Sequence, residues 1–162
     1  MADVLSAWAS RYLPESAKAD LLPLEQGKVT VEETGAGKFQ HLVRIGDHEL
    51  FADEPKKVGG DDTGLAPYDL LLAGLGACTS MTMRLYAARK KLNVTKLGVT
   101  LSHSKVHADD CEECAADGTQ KIDVISREIS IEGDLSDAER AKLMEIADKC
   151  PVHRTLESDI EV

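Results

Sequence analysis

A long apolar segment that begins at Pro67 constrains the fold of this chain more than any other part of the sequence. Proline is tolerated at the first position of a helix, Asp69 suits the positive N-terminal end, and the basic residues 89–91 suit the opposite end, where Asn93 can end the helix. The apolar residues leave scarcely any polar face before the last turns: Leu70, Leu71, Leu72, Ala73, Leu75, Ala77, Met81, Met83, Leu85 and Ala87. A helix of this kind is predicted to be buried on nearly all sides.

Alternating hydrophobicity predicts strands on both sides of this helix. Residues 28–54 alternate between apolar and polar, with turn residues at 35–37 and 46–47, which predicts a three-stranded antiparallel meander. The alternation returns at residues 97–103 and again at 122–131, which predicts two further strands. Because strands and helices occur in separate runs along the chain, the fold class is predicted to be α+β.

A second helix is predicted after these strands. Ser136 and Glu139 have the spacing of a capping box. The apolar stripe that follows consists of Leu143, Ile146, Ala147 and Cys150. Residues 158–162 are predicted to form a final strand, and residues 3–12 a short amphipathic helix.

Composition narrows the classes of function. The 162 residues carry a formal net charge of -10, which argues against binding to nucleic acid or to an anionic membrane surface. Aromatic residues make up 4% of the chain, so a flavin or nucleobase stacking platform would have few residues to use, and thiol chemistry, which requires no cofactor, is expected instead. We expect an N-terminal extension at residues 1–27 and one domain at 28–162. The N-terminus lacks the features of a signal peptide and the apolar run at 70–78 is too short for a membrane span, which predicts a cytoplasmic protein.

Each of the two predicted helices carries a cysteine that faces the core. Cys78 follows Gly74 and Gly76, and each glycine costs a helix about 1 kcal/mol relative to alanine, so another element is expected to approach closely there. The helix that reaches Cys150 is the candidate, which would bring both cysteines into one interface. Alternatively, each cysteine is a small core residue, as buried free cysteine often is.

The residues after Cys150 favour a reactive thiol. Pro151 cannot continue the hydrogen bonding of the preceding helix, so the chain is expected to restart a helix there. The thiol would then lie at a helix N-terminus with His153 and Arg154 nearby, and all three features lower the pKa of a thiol.

A second group of candidate functional residues, of types that bind metals, follows the fourth predicted strand. His103, His107, Cys111 and Cys114 have the residue types and close spacing of a tetrahedral zinc site. A redox-active dithiol of Cys111 and Cys114 is the other functional interpretation. The alternative to both is an acidic surface loop in which these residues have no joint role.

Two stretches together resemble a known family. Residues 65–79 read LAPYDLLLAGLGACT and residues 150–156 read CPVHRTL. Paired cysteine motifs at this separation resemble the OsmC/Ohr family of organic hydroperoxide reductases and redox proteins, over about residues 28–162. The resemblance implies an intertwined α+β homodimer, with antiparallel sheets around two central cysteine-bearing helices. It also implies that Cys78 is the peroxidatic thiolate and that Cys150 resolves it as a disulfide.

The chain departs from this family at the start of the long helix. The best-characterised members have a glutamate directly after the proline, which orients a strand-borne arginine onto the thiolate, whereas this chain has Tyr68 there and Asp69 next. Asp69 is the candidate substitute for that glutamate. Arg44 on the second predicted strand is the candidate arginine, because Arg84 is expected to point to another face of its helix.

Three functions are therefore open. The favoured one is reduction of a small apolar hydroperoxide in oxidative stress, by a thiol peroxidase that an external thiol reductant recycles. The second is a non-enzymatic zinc-binding module that uses His103, His107, Cys111 and Cys114. The third is thiol chemistry of Cys78 and Cys150 on a different electrophile.

Overall fold

The computed structural model describes residues 27–107 and 121–161 of the chain. They divide into two units, of which the described parts are 27–64 and 65–161. The short helix expected at 3–12 and both Cys111 and Cys114 lie outside the described residues.

The first unit contains the predicted meander. Strands β1 (Thr30–Glu33), β2 (His41–Ile45) and β3 (His48–Ala52) form an antiparallel sheet in the order β1-β2-β3. Val43 of β2 is buried and stands opposite Val31 of β1 and Leu50 of β3. The prediction from alternating residues is confirmed here, including both turns.

The loop after β3 is organised around a buried carboxylate. Asp53 Oδ2 accepts hydrogen bonds from the backbone N–H groups of Asp61 and Thr63 and from the Thr63 hydroxyl, at 3.2, 3.0 and 2.7 Å. Its Oδ1 accepts the N–H of Glu54 at 2.8 Å. Gly60 packs so closely on the Glu54 carbonyl that a Cβ would lie 1.9 Å from that oxygen. The loop is therefore held in one path by its own hydrogen bonds.

The described part of the second unit consists of three helices and a two-stranded antiparallel sheet. Its elements are α1 (Pro67–Lys90), β4 (Asn93–His107), β5 (Lys121–Asp134), α2 (Asp137–Ala147) and α3 (Pro151–Leu156). Strands β4 and β5 pair along their whole lengths, with one irregularity between Val94 and Lys96. Both strands are longer than the alternation of apolar and polar residues predicted.

The predicted capping box is present at the start of α2. Ser136 Oγ accepts the N–H of Glu139 at 3.3 Å, and Glu139 Oε2 accepts the N–H of Ser136 at 2.8 Å. The predicted final strand is wrong, because residues 158–161 form no strand. The backbone N–H and the hydroxyl of Ser158 both donate to the carbonyl of Thr155, at 3.2 and 2.8 Å, and so end α3 with a turn.

Helix α1 is buried along one stripe and not on all sides, which corrects the sequence prediction. The buried residues follow at intervals of about four and face β4 and α2: Leu75, Gly76, Thr79, Met83 and Ala87. On another face Met81 is 70% exposed and Leu85 is 55% exposed. By length and composition α1 is able to cross a membrane, with a mean hydropathy of 1.2, and core helices of soluble proteins meet the same criterion.

Candidate functional site

The two predicted helix cysteines meet in the second unit. Cys78 lies in the middle of α1, and Cys150 lies in the corner between α2 and α3. Both thiols are free, and they are hydrogen-bonded to each other. Cys150 is completely buried, whereas Cys78 is partly exposed. The apolar stripe therefore located Cys150 correctly in the core, although α2 itself ends at Ala147 and Cys150 lies beyond it.

The start of α3 directs backbone N–H groups at both sulfur atoms. Pro151 opens the helix, so the expected restart after Cys150 is confirmed. The N–H of Val152 hydrogen-bonds to both thiols and the N–H of His153 to that of Cys150. The imidazole of His153 instead pairs with the Glu157 carboxylate, with Nε2 and Oε1 3.1 Å apart. His153 thus acts on the thiol through its backbone and not, as the sequence suggested, through its side chain.

These contacts shift the pKa values of the two thiols in opposite directions. Burial acts to raise the pKa of Cys150, but hydrogen bonds from Cys78, the His153 N–H, the Thr79 hydroxyl and the Val152 N–H outweigh it, so that pKa is lowered. Burial and the hydrogen bond to Cys150 raise the pKa of Cys78. The hydrogen bond between the two sulfurs therefore acts on them in opposite directions, raising the pKa of Cys78 and lowering that of Cys150.

Sequence reasoning missed two residues beside this pair. Thr79, which follows Cys78 directly, is completely buried, and its Oγ1 accepts a hydrogen bond from Arg127 Nη1 at 3.4 Å. Arg127 lies on β5 in the inward-facing row that also contains Ile125 and Ile129. A single arginine within an apolar row was the available signal.

Cys78 also lines an open, mostly apolar groove. The groove has a volume of about 390 Å³, and its other lining residues are Gly74, Ala77, Met81, Thr82, Leu85 and Pro151. A Cβ at Gly76 would lie 2.7 Å from Leu101 Cδ1 of β4, whereas a Cβ at Gly74 would meet nothing within 4 Å. The expected close approach is therefore confirmed at Gly76 only, where the neighbour is a strand and not the second helix.

The other candidate residues hold the elements in place. Asp69 Oδ2 accepts the N–H of Ala66 at 3.2 Å and so caps the start of α1. Arg84 Nη1 donates to the Val94 carbonyl at 2.6 Å, away from Cys78 as expected. Arg44 lies on β2 in the first unit, is 9% exposed, and has its Nε 3.6 Å from the Glu49 carboxylate.

The predicted zinc ligands are described only in part. His103 Nε2 lies 2.7 Å from Asp123 Oδ1, and the Tyr68 ring stacks on the imidazole with centroids 4.1 Å apart. Within the described residues no group of three or more His, Cys, Asp or Glu side chains gathers in a metal-binding arrangement. Cys111, Cys114 and the side chain of His107 lie outside that part, so the zinc site stays a prediction.

A known protein family matches the part of the sequence that forms this site. The sequence model of the OsmC-like protein family matches residues 59–162, a span that includes both cysteines of the pair. The chain belongs to the OsmC-like protein family. The family resemblance of the two motifs is thereby confirmed. No protein of curated function matches the sequence.

Solved structures of OsmC-like proteins have the same fold. An OsmC-like protein from Mycoplasma pneumoniae is 21% identical with a TM-score of 0.62, over 83% of this chain and 89% of that one. An organic hydroperoxide resistance protein OsmC from Legionella pneumophila is 19% identical with a TM-score of 0.58, over 86% and 96%. An organic hydroperoxide resistance protein from Elizabethkingia anophelis is 23% identical with a TM-score of 0.58, over 88% and 95%. The predicted α+β, OsmC-like fold is confirmed.

Proposed function

We propose that this OsmC-like protein reduces organic hydroperoxides with Cys78 and Cys150. The observation that carries the proposal is a hydrogen-bonded pair of free thiols, one of which lines an apolar groove. Membership of the family supports it, as does the similarity in fold to organic hydroperoxide resistance proteins. An alkyl hydroperoxide matches a groove that is apolar around a single sulfur.

The two sulfur atoms differ in how accessible they are to a peroxide, and for that reason we assign the two cysteines to different steps of the reaction. Cys78 is partly exposed and lines the groove, so its sulfur is the one that a peroxide oxygen can reach. Cys150 is completely buried and touches Cys78, so its sulfur reaches only the product of the first step. Cys78 is accordingly the peroxidatic cysteine and Cys150 the resolving one.

The reaction then has two balanced steps. The sulfur of Cys78 attacks one peroxide oxygen, an S–O bond forms, the O–O bond breaks, and the alcohol leaves after the alkoxide takes up a proton. The sulfur of Cys150 next attacks the resulting sulfenic acid, which forms a disulfide and releases the remaining oxygen as water. The two sulfurs lose two electrons in total, which reduce the hydroperoxide. An external thiol reductant returns the disulfide to two thiols.

Several further assignments belong to this proposal. Arg44 and Asp69 are our candidates for the arginine and acidic residue that activate the peroxidatic thiol in the family. We also propose that residues 28–162 act as one domain and that the protein is a cytoplasmic homodimer that binds neither nucleic acid nor membrane.

Single-cysteine variants test the proposal directly. Cys78→Ser is expected to abolish consumption of cumene hydroperoxide, because the attacking sulfur is gone. Cys150→Ser is expected to permit one turnover, after which Cys78 is oxidised beyond the sulfenic acid. The double variant Cys111→Ser/Cys114→Ser is the control and is expected to turn over like the unaltered protein. Peroxide turnover that survives the loss of Cys78 would refute the assignment.

One observation favours a second candidate, thiol chemistry on an electrophile other than a peroxide. Tyr68 occupies the position of the family glutamate, and its ring is stacked on His103. In that case the reduced protein leaves cumene hydroperoxide unchanged while Cys78 still reacts with a small apolar electrophile such as a maleimide. Zinc binding by His103, His107, Cys111 and Cys114 is a separate candidate that the metal content of the purified protein tests.

A further inference from the structure

Thr82 connects the sulfur of Cys78 to the groove beside it. It lies one helical turn after Cys78 on α1, and side chains four residues apart on a helix are neighbours. Its hydroxyl donates a hydrogen bond to the Cys78 sulfur. The same side chain lines the groove and is partly exposed, as Cys78 is. A ligand in the groove therefore meets the sulfur and this hydroxyl side by side.

Two other threonines of the same unit make different contacts. Thr79, on the buried stripe of α1, donates its hydroxyl to the buried sulfur of Cys150. Thr155 of α3 donates to the Pro151 carbonyl four residues earlier at 3.0 Å, as hydroxyls in helices commonly do. Each sulfur of the pair thus has its own threonine, and the hydroxyl on the groove side is that of Thr82.

The groove contains few polar groups for the oxygen atoms of a hydroperoxide. Among the described residues that line it, Thr82 carries the only hydroxyl, and none carries a charged side chain. Of the two candidate activating residues, Asp69 caps the start of α1 with its Oδ2, and Arg44 lies in the first unit. The Thr82 hydroxyl is therefore the side-chain group of the groove that can hold a peroxide O–H beside Cys78.

We propose that Thr82 is a catalytic residue of the peroxide reduction, the proposed function on which this step rests: its hydroxyl oxygen accepts the O–H of the hydroperoxide and holds the terminal oxygen against the Cys78 sulfur. A hydroxyl donates one hydrogen bond and accepts two, so Thr82 can bind the sulfur and the peroxide at once. Holding the reacting atoms in contact turns an encounter of two molecules into a step within one complex, which raises its rate.

The hydroxyl takes part in this step without being consumed. The Cys78 sulfur, as the thiolate, attacks the terminal oxygen, the S–O bond forms and the O–O bond breaks. The electron pair of the O–O bond leaves with the alkoxide, which takes up a proton from water. The hydrogen on the terminal oxygen stays there and becomes the hydrogen of the sulfenic acid. One thiolate, one hydroperoxide and one water give one sulfenic acid, one alcohol and one hydroxide, and Thr82 keeps its own proton.

Two rate constants measured on the same reduced protein test this role. In a Cys111→Ser/Cys114→Ser background, Cys78 is reacted with cumene hydroperoxide by stopped flow and, separately, with N-ethylmaleimide, which has no hydrogen-bond donor. Thr82→Val removes the hydroxyl and preserves the shape of the side chain. It is expected to lower the rate constant for the peroxide, relative to that for the maleimide, about tenfold, which is the effect of one lost hydrogen bond.

The ratio of the two rate constants isolates the contact with the peroxide. Burial raises the pKa of Cys78 and the hydrogen bond from Thr82 acts in the opposite direction, so loss of the hydroxyl also lowers the fraction of thiolate. Because both reagents react with the thiolate, this effect is equal in the two rate constants and cancels in their ratio. Thr82→Ser keeps a hydroxyl and is expected to keep the ratio.

Ser80→Ala is the matched control, because Ser80 is a hydroxyl residue of α1 that is not among the described residues lining this groove. It is expected to leave both rate constants unchanged. If Thr82→Val fails to fold, Thr82→Ala provides a second variant without the hydroxyl, since alanine favours a helix more than threonine does. It is expected to lower the ratio in the same way.

The possible results separate the role of Thr82 from the function on which it rests. An unaltered protein that reacts with the maleimide but leaves the peroxide unchanged would overturn the proposed function, and the role of Thr82 with it. A protein that consumes peroxide, but whose ratio stays the same in Thr82→Val or falls as far in Ser80→Ala, would overturn the role of Thr82 alone.

Discussion

At the scale of single residues, Asp53 determines the path of a loop by itself. It is 3% exposed and accepts its hydrogen bonds from Glu54, Asp61 and Thr63. The N–H and hydroxyl of Thr63, followed by the N–H groups of Glu54 and Asp61, lower the pKa of Asp53 below its ordinary value of 3.8, although burial acts in the opposite direction. The ionised form is therefore the one that stabilises the loop.

Replacing this carboxylate makes the stability of the protein depend differently on pH. A lowered pKa in the folded state means that the contribution of Asp53 is complete above 3.8 and is lost as the pH falls through the folded value. Asp53→Asn is expected to lower the melting temperature by several degrees at pH 7, and the difference is expected to shrink below about pH 4. Calorimetry at several pH values measures this.

Asp47→Asn is the control for that measurement. Asp47 is an exposed carboxylate in the turn between β2 and β3, so its replacement is expected to leave the melting temperature nearly unchanged at each pH. A difference between Asp53→Asn and the unaltered protein that stays constant down to pH 3 would contradict the role assigned to Asp53.

The functional residues differ in how far the sequence reveals them. Cys78 and Cys150 were found because each of the two predicted core-facing helical stripes carries a cysteine and because the two motifs resemble a family. Thr79 and Arg127 were missed because their roles depend on which strand packs against which helix. Alternation places Arg127 on the same side of its strand as Ile125 and Ile129, but it does not identify the partners of the guanidinium.

At the scale of elements, sequence signals that depend on neighbouring residues predicted the structure correctly. Signals that depend on a second strand or helix did not. The capping box at Ser136 and the helix start at Pro67 were predicted correctly, because backbone groups within a few residues satisfy them. The strand expected at 158–162 was wrong, because an alternating run forms a strand only beside a second strand. The burial of α1 was overestimated for the same reason. An apolar helix face indicates that another element packs against it, but it does not identify that element.

At the scale of the whole molecule, the main feature to be explained is an apolar face of α1 that the described residues leave exposed. Met81 and Leu85, on that face, are 70% and 55% exposed, and both line the groove beside Cys78. Large apolar side chains next to each other on a surface are typical of a protein–protein contact. This supports the homodimer that the family resemblance implies.

Charge placed on that face is expected to separate the subunits. Light scattering after gel filtration is expected to give about twice the 17.5 kDa of one chain for the unaltered protein and about one chain for Met81→Glu. Met144→Glu is the matched control, because Met144 is also exposed, at 45%, but lies on α2, so it is expected to leave the mass unchanged. A single-chain mass for the unaltered protein would contradict the homodimer.

The central claim is that Cys78 and Cys150 act together on a peroxide, and mapping of the disulfides tests it most directly. The fully reduced, metal-free protein is mixed with one equivalent of cumene hydroperoxide, quenched with an alkylating agent, digested and examined by mass spectrometry. We expect stoichiometric loss of peroxide and a disulfide between Cys78 and Cys150, with Cys111 and Cys114 alkylated. Unreacted peroxide with both helix thiols intact, or a disulfide between Cys111 and Cys114 alone, would contradict the account.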